Sequence, residues 1–322
     1  MNIRKIILGA GILFLGAHSS LYAADYPTRP IRLIVPFAPG GNTDVAGRMI
    51  AEGMGKQLGQ SIVVENKGGA GGSIGAGVAA RANPDGYTIL LASSALTIIP
   101  AIYKEVSYDI AKDFDPVGLA METSLVLVAA PQVGVKTVDE LIAAAQAKPG
   151  SLTYSSGGVG SGSHLTGELF TQVAKIKTVH VPYKGSGPAT SAILSNEVNY
   201  TFTSLAAALP LVKSQNIVAL AITSKERSPL YPNVPSSDEV GLQGFYGGDW
   251  LGLAAPAGTP KEAITRLNAA LQQWLALPGT KEQLAQQGFS IKTSSPQEFR
   301  DLIGTELVKW KDIATKAGIT AQ

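Results

Sequence analysis

Four short segments of the chain combine glycine with serine, threonine and proline and carry almost no charge. They are residues 37–44, 93–95, 155–164 and 183–188. Glycine lets backbone N–H groups approach a ligand, and serine and threonine add hydroxyl donors. A helix that begins at such a segment adds partial positive charge. The combination predicts a site for an anion, which could be a carboxylate, a phosphate or a sulfate.

Backbone groups and small side chains of these segments are the candidate ligand contacts. No arginine lies in them, and Arg48, one turn into the first predicted helix, is expected to pair at the surface. A carboxylate would then depend on N–H groups, hydroxyls and bridging water. Ordinary strand-to-helix turns explain any one segment equally well, but four together favour a site. The candidates are Phe37, Ala38, Pro39, Gly40, Gly41, Thr43, Ser93, Ser94, Ser155, Ser156, Gly157, Gly158, Ser161, Ser163, His164 and Tyr183.

Residues suited to catalysis are sparse. Beyond the N-terminal segment the chain has only two histidines, His164 and His180, and it has no cysteine. A hydrolase that pairs Ser161 or Ser163 with His164 stays open as an alternative, although we expect no G-x-S-x-G nucleophile elbow in the chain. No phosphate-binding G-x-x-x-x-G-K-[ST] loop and no cluster of metal ligands is present. We therefore predict no enzymatic activity, no catalytic residue, no cofactor and no metal.

Alternating strand and helix patterns place the first two segments at strand ends. The first hundred residues follow the order β-α-β-α-β, which predicts a mostly parallel sheet with ligand loops beyond its strands. Asn42 or Thr43 is the expected N-cap of the first helix. The predicted strands are 30–37, 61–65 and 87–92, and the predicted helices are 45–58 and 74–82.

A second α/β unit follows, and the last part of the chain is expected to return to the first unit. Thr137 and Glu140 form a capping box for a helix over 137–147. Two similar units predict an α/β fold with two lobes. The other predicted elements are strands at 124–130, 152–155, 178–182, 198–202, 218–223 and 250–255, and helices at 164–174, 189–195, 261–276, 281–287 and 296–316.

The N-terminus has the order of a secretory signal peptide. Arg4 and Lys5 precede an apolar run over 6–17, and small residues follow at Ala23 and Ala24. A membrane-spanning helix needs about 20 apolar residues, so a retained anchor is the weaker alternative. We predict a leader over 1–24 and export to the periplasm.

Charge and length narrow the class of protein further. The 322 residues carry 26 basic and 24 acidic side chains, and two of the basic ones lie in the predicted leader. The mature chain is then neutral, which argues against nucleic-acid binding. About 300 residues suit two domains.

Seven segments of the chain resemble sequence motifs of the Bug-type solute receptors of tripartite tricarboxylate transporters. The resemblance runs from about Tyr26 to the C-terminus, and its motifs are long and ordered. They are Tyr26–Pro30, Ile34–Gly41, Val64–Gly75, Pro84–Tyr87, Ser163–Phe170, Val179–Pro188 and Leu253–Pro260.

The resemblance implies a type II-like periplasmic binding fold, with a ligand cleft between lobes and two crossing strands near 124–126 and 248–250. It implies that 25–125 and 249–322 form one lobe and 126–248 the other. Ligands of such receptors are typically carboxylates, and a monomer would deliver them to the permease subunits of the transporter. A sensory receptor that signals through a membrane kinase is an open alternative.

Two departures from the family pattern bear on the ligand. The family often has an acidic residue where this chain has Thr203 and Ser204, which become two further candidate contacts. The cleft is expected to be less acidic there, so an ammonium-bearing amino acid is less favoured. Residues 93–96 are smaller and more apolar than is usual, which favours an uncharged or aromatic ligand body.

Overall fold

The computed structural model describes residues 26–159, 161–183 and 185–316. Within these ranges the chain forms an α/β fold of ten strands and ten α-helices. The predicted leader, residues 1–24, lies outside the described residues. None of the helices in the described ranges is long and apolar enough to cross a bilayer.

Strands and helices alternate along most of the chain. The strands are β1 Ile31–Val35, β2 Ile62–Asn66, β3 Thr88–Ser93, β4 Phe114–Ala129, β5 Thr153–Ser156, β6 Val179–Pro182, β7 Tyr200–Ser204, β8 Val218–Ile222, β9 Gly248–Pro256 and β10 Phe289–Ile291. The helices are α1 Asn42–Leu58, α2 Ser73–Ala80, α3 Ala95–Ile102, α4 Val138–Ala147, α5 Gly162–Ala174, α6 Ser186–Leu194, α7 Leu205–Lys213, α8 Lys261–Leu275, α9 Thr280–Gln286 and α10 Pro296–Lys316.

The first half of the sheet has the strand order β2-β1-β3-β9-β4. β1 pairs in parallel with β2 and β3, which confirms the predicted β-α-β-α-β unit. β9 runs antiparallel to both β3 and β4, and β10 pairs antiparallel with β4. This half is therefore mixed rather than mostly parallel, because the returning chain enters it in the opposite direction.

The second half has the order β4-β7-β5-β6. β5 pairs in parallel with β6 and β7, whereas β7 and β8 are antiparallel to β4. β4 belongs to both halves. Its residues Phe114–Ser124 pair with β9, and its residues Leu125–Ala129 pair with β7.

Helices cover both faces of the first half. Ile31, Leu33 and Val35 of β1 lie in a core with α1 and α8, while Ile34 lies in a second core on the opposite face. All four side chains are fully buried. A strand that is buried on both faces is expected to be largely apolar, and β1 fits this except at Arg32, which is exposed and pairs with Glu65.

A second passage of the chain between the halves lies beside β4. Gly247, just before β9, donates its N–H to the Thr223 carbonyl at 3.2 Å. The Thr223 hydroxyl accepts the Leu125 N–H at 2.8 Å and also contacts the Leu125 and Gly247 carbonyls. The division into lobes at 125/126 and 248/249 stays a prediction, which these two passages motivate.

Several elements differ from the sequence predictions. β4 begins ten residues before the predicted start at 124, because Pro116 inside it hides the strand pattern. α3 and α7 were not predicted, since both contain an internal proline and are apolar on most sides. β10 has three residues, too few for a visible alternation. The Thr137–Glu140 capping box is confirmed.

Candidate ligand-binding site

A cavity of about 920 Å³ is lined by residues from both halves of the sheet. Its polar lining consists of Asn42, Thr43, Ser94, Tyr103, Thr123, Ser161, Ser163, Ser186, Thr190, Ser191, Thr203, Ser204 and Asp249. The described residues of the lining include no Arg, Lys or His. Among them, Asp249 is the one side chain that is charged at neutral pH. No group of three or more His, Asp or Glu in the described ranges could hold a metal ion.

Ten of the eighteen predicted contacts line this cavity. They come from three of the four predicted segments (37–44, 93–95 and 155–164) and from the end of β7. They are Phe37, Gly40, Gly41, Thr43, Ser94, Gly157, Ser161, Ser163, Thr203 and Ser204. Their contact with a ligand stays a prediction.

Eight predicted contacts lie outside the lining. Ala38 and Pro39 are exposed, and Tyr183 donates its hydroxyl to Glu197 Oε2 at 3.1 Å. The other five are buried or half-buried behind the loops: Ser93, Ser155, Ser156, Gly158 and His164.

Five helices begin at the cavity: α1, α3, α5, α6 and α7. The first N–H groups of a helix lack partners within the helix and carry partial positive charge. The Ser161 and Ser204 hydroxyls satisfy one such group each in α5 and α7. α1 and α6 start at Gly41 and Gly185, and neither start has a side-chain cap. The predicted N-cap at Asn42 or Thr43 is wrong, because the helix includes both residues.

Asp44 holds the loop before α1 in place. Its Oδ2 accepts the Gly40 N–H at 2.9 Å and Arg48 Nε at 3.1 Å, and its Oδ1 accepts Asn66 Nδ2 at 2.9 Å. Burial alone would raise the Asp44 pKa, but these three donors lower it to about 2. The Gly40 N–H is thus used within the protein, whereas the sequence suggested that it faces the ligand. Arg48 pairs near the surface as predicted.

Asp249, which the sequence did not single out, lies at the start of β9 opposite Thr123 of β4. Its Oδ1 accepts the Ser94 N–H at 2.8 Å and the Ser94 hydroxyl at 2.6 Å. Burial raises the pKa of Asp249 to about 6, although the Ser94 hydrogen bonds oppose that rise. The start of α3 is therefore already occupied by a carboxylate of the protein.

Hydrogen bonds within the protein fix the loop between β5 and α5. Ser155 donates its hydroxyl to the Ala189 carbonyl at 2.9 Å, deep under the loop. The Gly157 N–H donates to Ser163 Oγ at 3.1 Å, and Ser161 Oγ lies 3.2 Å from Ser163 Oγ. Ser161 and Ser163 therefore present their hydroxyls at the cavity from a braced loop.

Two histidines stack behind this loop. The rings of His164 and His180 are 3.9 Å apart, and His180 Nε2 lies 2.5 Å from the buried Ser156 Oγ. Burial lowers the pKa of both histidines to about 4, and His164 contributes to the shift of His180. Both rings are neutral at pH 7, and neither lines the cavity.

The geometry does not favour a hydrolase. Ser161 contacts His164 through the His164 backbone N–H at 3.2 Å, and Ser156 lies outside the cavity lining. Gly71 to Gly75 fits the G-x-S-x-G pattern, but Ser73 Oγ bonds Ser107 at 3.2 Å and also lies outside the lining. The serine hydroxyl that lies beside a histidine ring, Ser156 Oγ next to His180, is thus not at the cavity.

An apolar wall faces the polar loops. α3 contributes Ala95, Ile98, Ile99 and Ile102, and further apolar side chains come from both halves. The additional members are Phe37, Leu125, Val159, Phe202, Ala207 and Leu251. The sequence could not place this wall at the site, because α3 lacks the apolar periodicity of a surface helix.

A family model for receptors of the tripartite tricarboxylate transporter family matches residues 46–319. The curated Protein BugT of Bordetella pertussis is 35% identical over 322 residues, which cover 99% of each chain.

Solved structures agree with this match. R. palustris Rpa4515 with adipate has a TM-score of 0.81 at 33% identity and covers 92% of this chain and 100% of its own. MatC from Rhodopseudomonas palustris with bound malate has a TM-score of 0.74 at 33% identity, with 89% and 99% coverage. The fold is thus the α/β fold of periplasmic binding proteins.

Proposed function

The chain belongs to the receptor family of tripartite tricarboxylate transporters, and we propose that it captures a small organic acid between its lobes and delivers it to such a transporter. As a member of this family it is a solute-binding receptor rather than an enzyme. We further propose that it is exported by its N-terminal leader, acts in the periplasm as a monomer, and docks on the permease subunits.

One observation carries the ligand class. α1 and α6 come from different halves of the sheet, begin at the same cavity, and lack side-chain caps. A carboxylate that lies between the two helix starts would accept N–H groups from both lobes at once. Binding would therefore favour closure of the lobes, because only the closed form supplies both sets of donors.

The wall on α3 suits the carbon skeleton of the acid. Ile98, Ile99 and Ile102 are at most 5% exposed and back this wall. Its half-buried members Phe37, Ala95 and Leu125 offer the apolar surface. The related receptors solved with adipate and malate hold dicarboxylates of different length. Mono-, di- and tricarboxylates, including aromatic acids, are thus the candidates.

A thermal-shift screen of the mature protein over these acids tests the proposal. Ligand at several hundred times its Kd stabilises the folded state by about 3–4 kcal/mol, which raises Tm measurably. A folded protein that no organic acid stabilises would contradict the proposed function.

Gly187→Asp tests the position of the anion site. Gly187 is the second residue of α6, lines the cavity, and has open space where a Cβ would lie. An aspartate there suits a first helical turn but places a negative charge where the ligand carboxylate is proposed. We expect at least tenfold weaker binding by isothermal titration calorimetry. Gly304→Asp, on exposed α10 with equally open space, is the matched control and should bind like the wild type.

Uptake measurements test delivery to a transporter. Cells that lack the permease subunits should lose uptake of the acid while the purified receptor still binds it. If uptake persists and a membrane kinase is co-purified instead, the receptor is sensory.

A further inference from the structure

We propose that Asp249 selects acids that carry a hydrogen-bond donor, a hydroxyl or an ammonium, at the end remote from the bound carboxylate. The inference rests on the proposed function and specifies its ligand class. Two parts of the cavity lining then have opposite roles: the helix starts accept an anion, and the Asp249 carboxylate accepts a donor.

Asp249 pairs with Thr123 where β4 and β9 meet at the passage between the halves, and both residues line the cavity. A carboxylate at this place faces any ligand that fills the space between the lobes. Position 203 is a threonine rather than an acidic residue, so the carboxylate acceptor of this cavity lies on β9 instead.

Ser94 donates two hydrogen bonds to Asp249, and both end on Oδ1. Oδ2 accepts no hydrogen bond from a side chain of the described residues, and none of their ion pairs includes Asp249. An ionised carboxylate has about four acceptor sites. The backbone N–H of Trp250 also bonds this carboxylate, so the three donors of the protein leave about one acceptor site for a donor from the cavity.

At the start of α3 the Ser94 N–H is bound to the Asp249 carboxylate, which has no ion-pair partner among the described residues. The start of α1 also has a carboxylate, Asp44, which accepts the Gly40 N–H, but Arg48 compensates its charge. A second carboxylate from the ligand would meet repulsion at the start of α3. It is directed instead to α1 and α6, whose starts have no side-chain cap. A ligand without a donor would leave the remaining acceptor site of the Asp249 carboxylate desolvated and unpaired, and burial of such an acceptor is costly.

Matched ligand pairs test the inference on the full mature protein. We would measure Kd at pH 7.5 by calorimetry for butyrate, pentanoate and hexanoate, and for the same acids with a terminal hydroxyl or a terminal ammonium. The wild type should bind a hydroxylated or aminated acid at least about tenfold more tightly than its parent. The series with the larger gain in affinity, hydroxylated or aminated, identifies the preferred donor.

Asp249→Asn should reduce that preference to less than about threefold, because the amide is neutral and its nitrogen cannot accept a hydrogen bond. Asp139→Asn, the same change on the exposed first turn of α4, should keep the full preference. A wild type that binds acids without preferring a donor in any pair would overturn the inference and leave the proposed function intact. The same holds if the preference survives Asp249→Asn. A protein that binds no acid in any arm overturns both.

Discussion

At the scale of single residues, Asp249 imposes a cost on the unliganded protein. Its pKa is about 6 in the folded state and 3.8 in the ordinary case, mainly because of burial. The folded state thus holds the proton more tightly than the unfolded chain. The contribution of this group to the free energy of unfolding therefore rises as the pH falls from about 6 to about 4. Glu306 on α10 adds to the shift.

Asp249→Asn should therefore stabilise the unliganded protein at neutral pH. We expect a gain in unfolding free energy of up to about 3 kcal/mol at pH 7.5, where the wild-type carboxylate is charged. The gain should shrink towards zero at pH 4. Urea unfolding at both pH values measures this difference. A variant less stable than the wild type at pH 7.5 would show that the charge of Asp249 does not destabilise the folded protein. Stability gained together with lost ligand selectivity would mark Asp249 as a functional group.

Residue types explain which parts of the site were predictable. Ser161, Ser163 and Gly41 stand in glycine-rich and serine-rich loops whose composition is visible in the sequence. Asp249 follows a glycine pair in a segment without any such signal. Its partner Ser94 is 155 positions away, so only the fold brings the two together.

At the scale of elements, helix packing against the sheet depends on close contacts that glycine permits. Gly53 of α1 lies against the indole of Trp274 on α8. A Cβ at Gly53 would overlap the Trp274 ring. α1 is the helix whose start faces the cavity, so this contact also fixes the position of that start.

Gly53→Ala should destabilise the protein by roughly 1–3 kcal/mol, because the overpacking outweighs the better helix propensity of alanine. Gly304→Ala on exposed α10 has open space and should stabilise by about 1 kcal/mol or less. Chemical denaturation of both variants provides the comparison. If both substitutions change the unfolding free energy in the same direction, the contact with Trp274 does not limit the size of the side chain at position 53.

The element order was largely predictable, and the exceptions share a cause. The β-α-β-α-β start has strong apolar runs bounded by glycine loops, and it is present in the structure. α3 carries Pro100 and apolar residues on most sides, so neither its period nor its ends were visible. The antiparallel entry of β9 depends on contacts made far along the chain, which local patterns do not encode.

At the scale of the whole molecule, Thr223 ties together the two passages between the halves. Its hydroxyl accepts the Leu125 N–H and contacts the Gly247 carbonyl, so one side chain bridges β4 and the segment before β9. Thr223 is 1% exposed, which shields these bonds from water. The bridge should restrict how the halves move relative to each other.

Thr223→Val keeps the shape of the side chain but removes the bridge. We expect a loss of about 1–2 kcal/mol in unfolding free energy, because the buried Leu125 N–H loses an acceptor. Small-angle scattering should report a broader range of lobe arrangements without ligand, and ligand affinity should fall several-fold. Thr305→Val, which removes a local bond on exposed α10, is the control. Unchanged scattering and affinity would show that the bridge does not govern closure.

The uncapped starts of α1 and α6 have a consequence for the evolution of ligand specificity. A backbone N–H belongs to every residue except proline, so few point mutations can delete the donors that these starts present. Side chains of the α3 wall, by contrast, can change one at a time. Duplicated genes can then diverge in the acid that each copy accepts while the recognition of an anion persists.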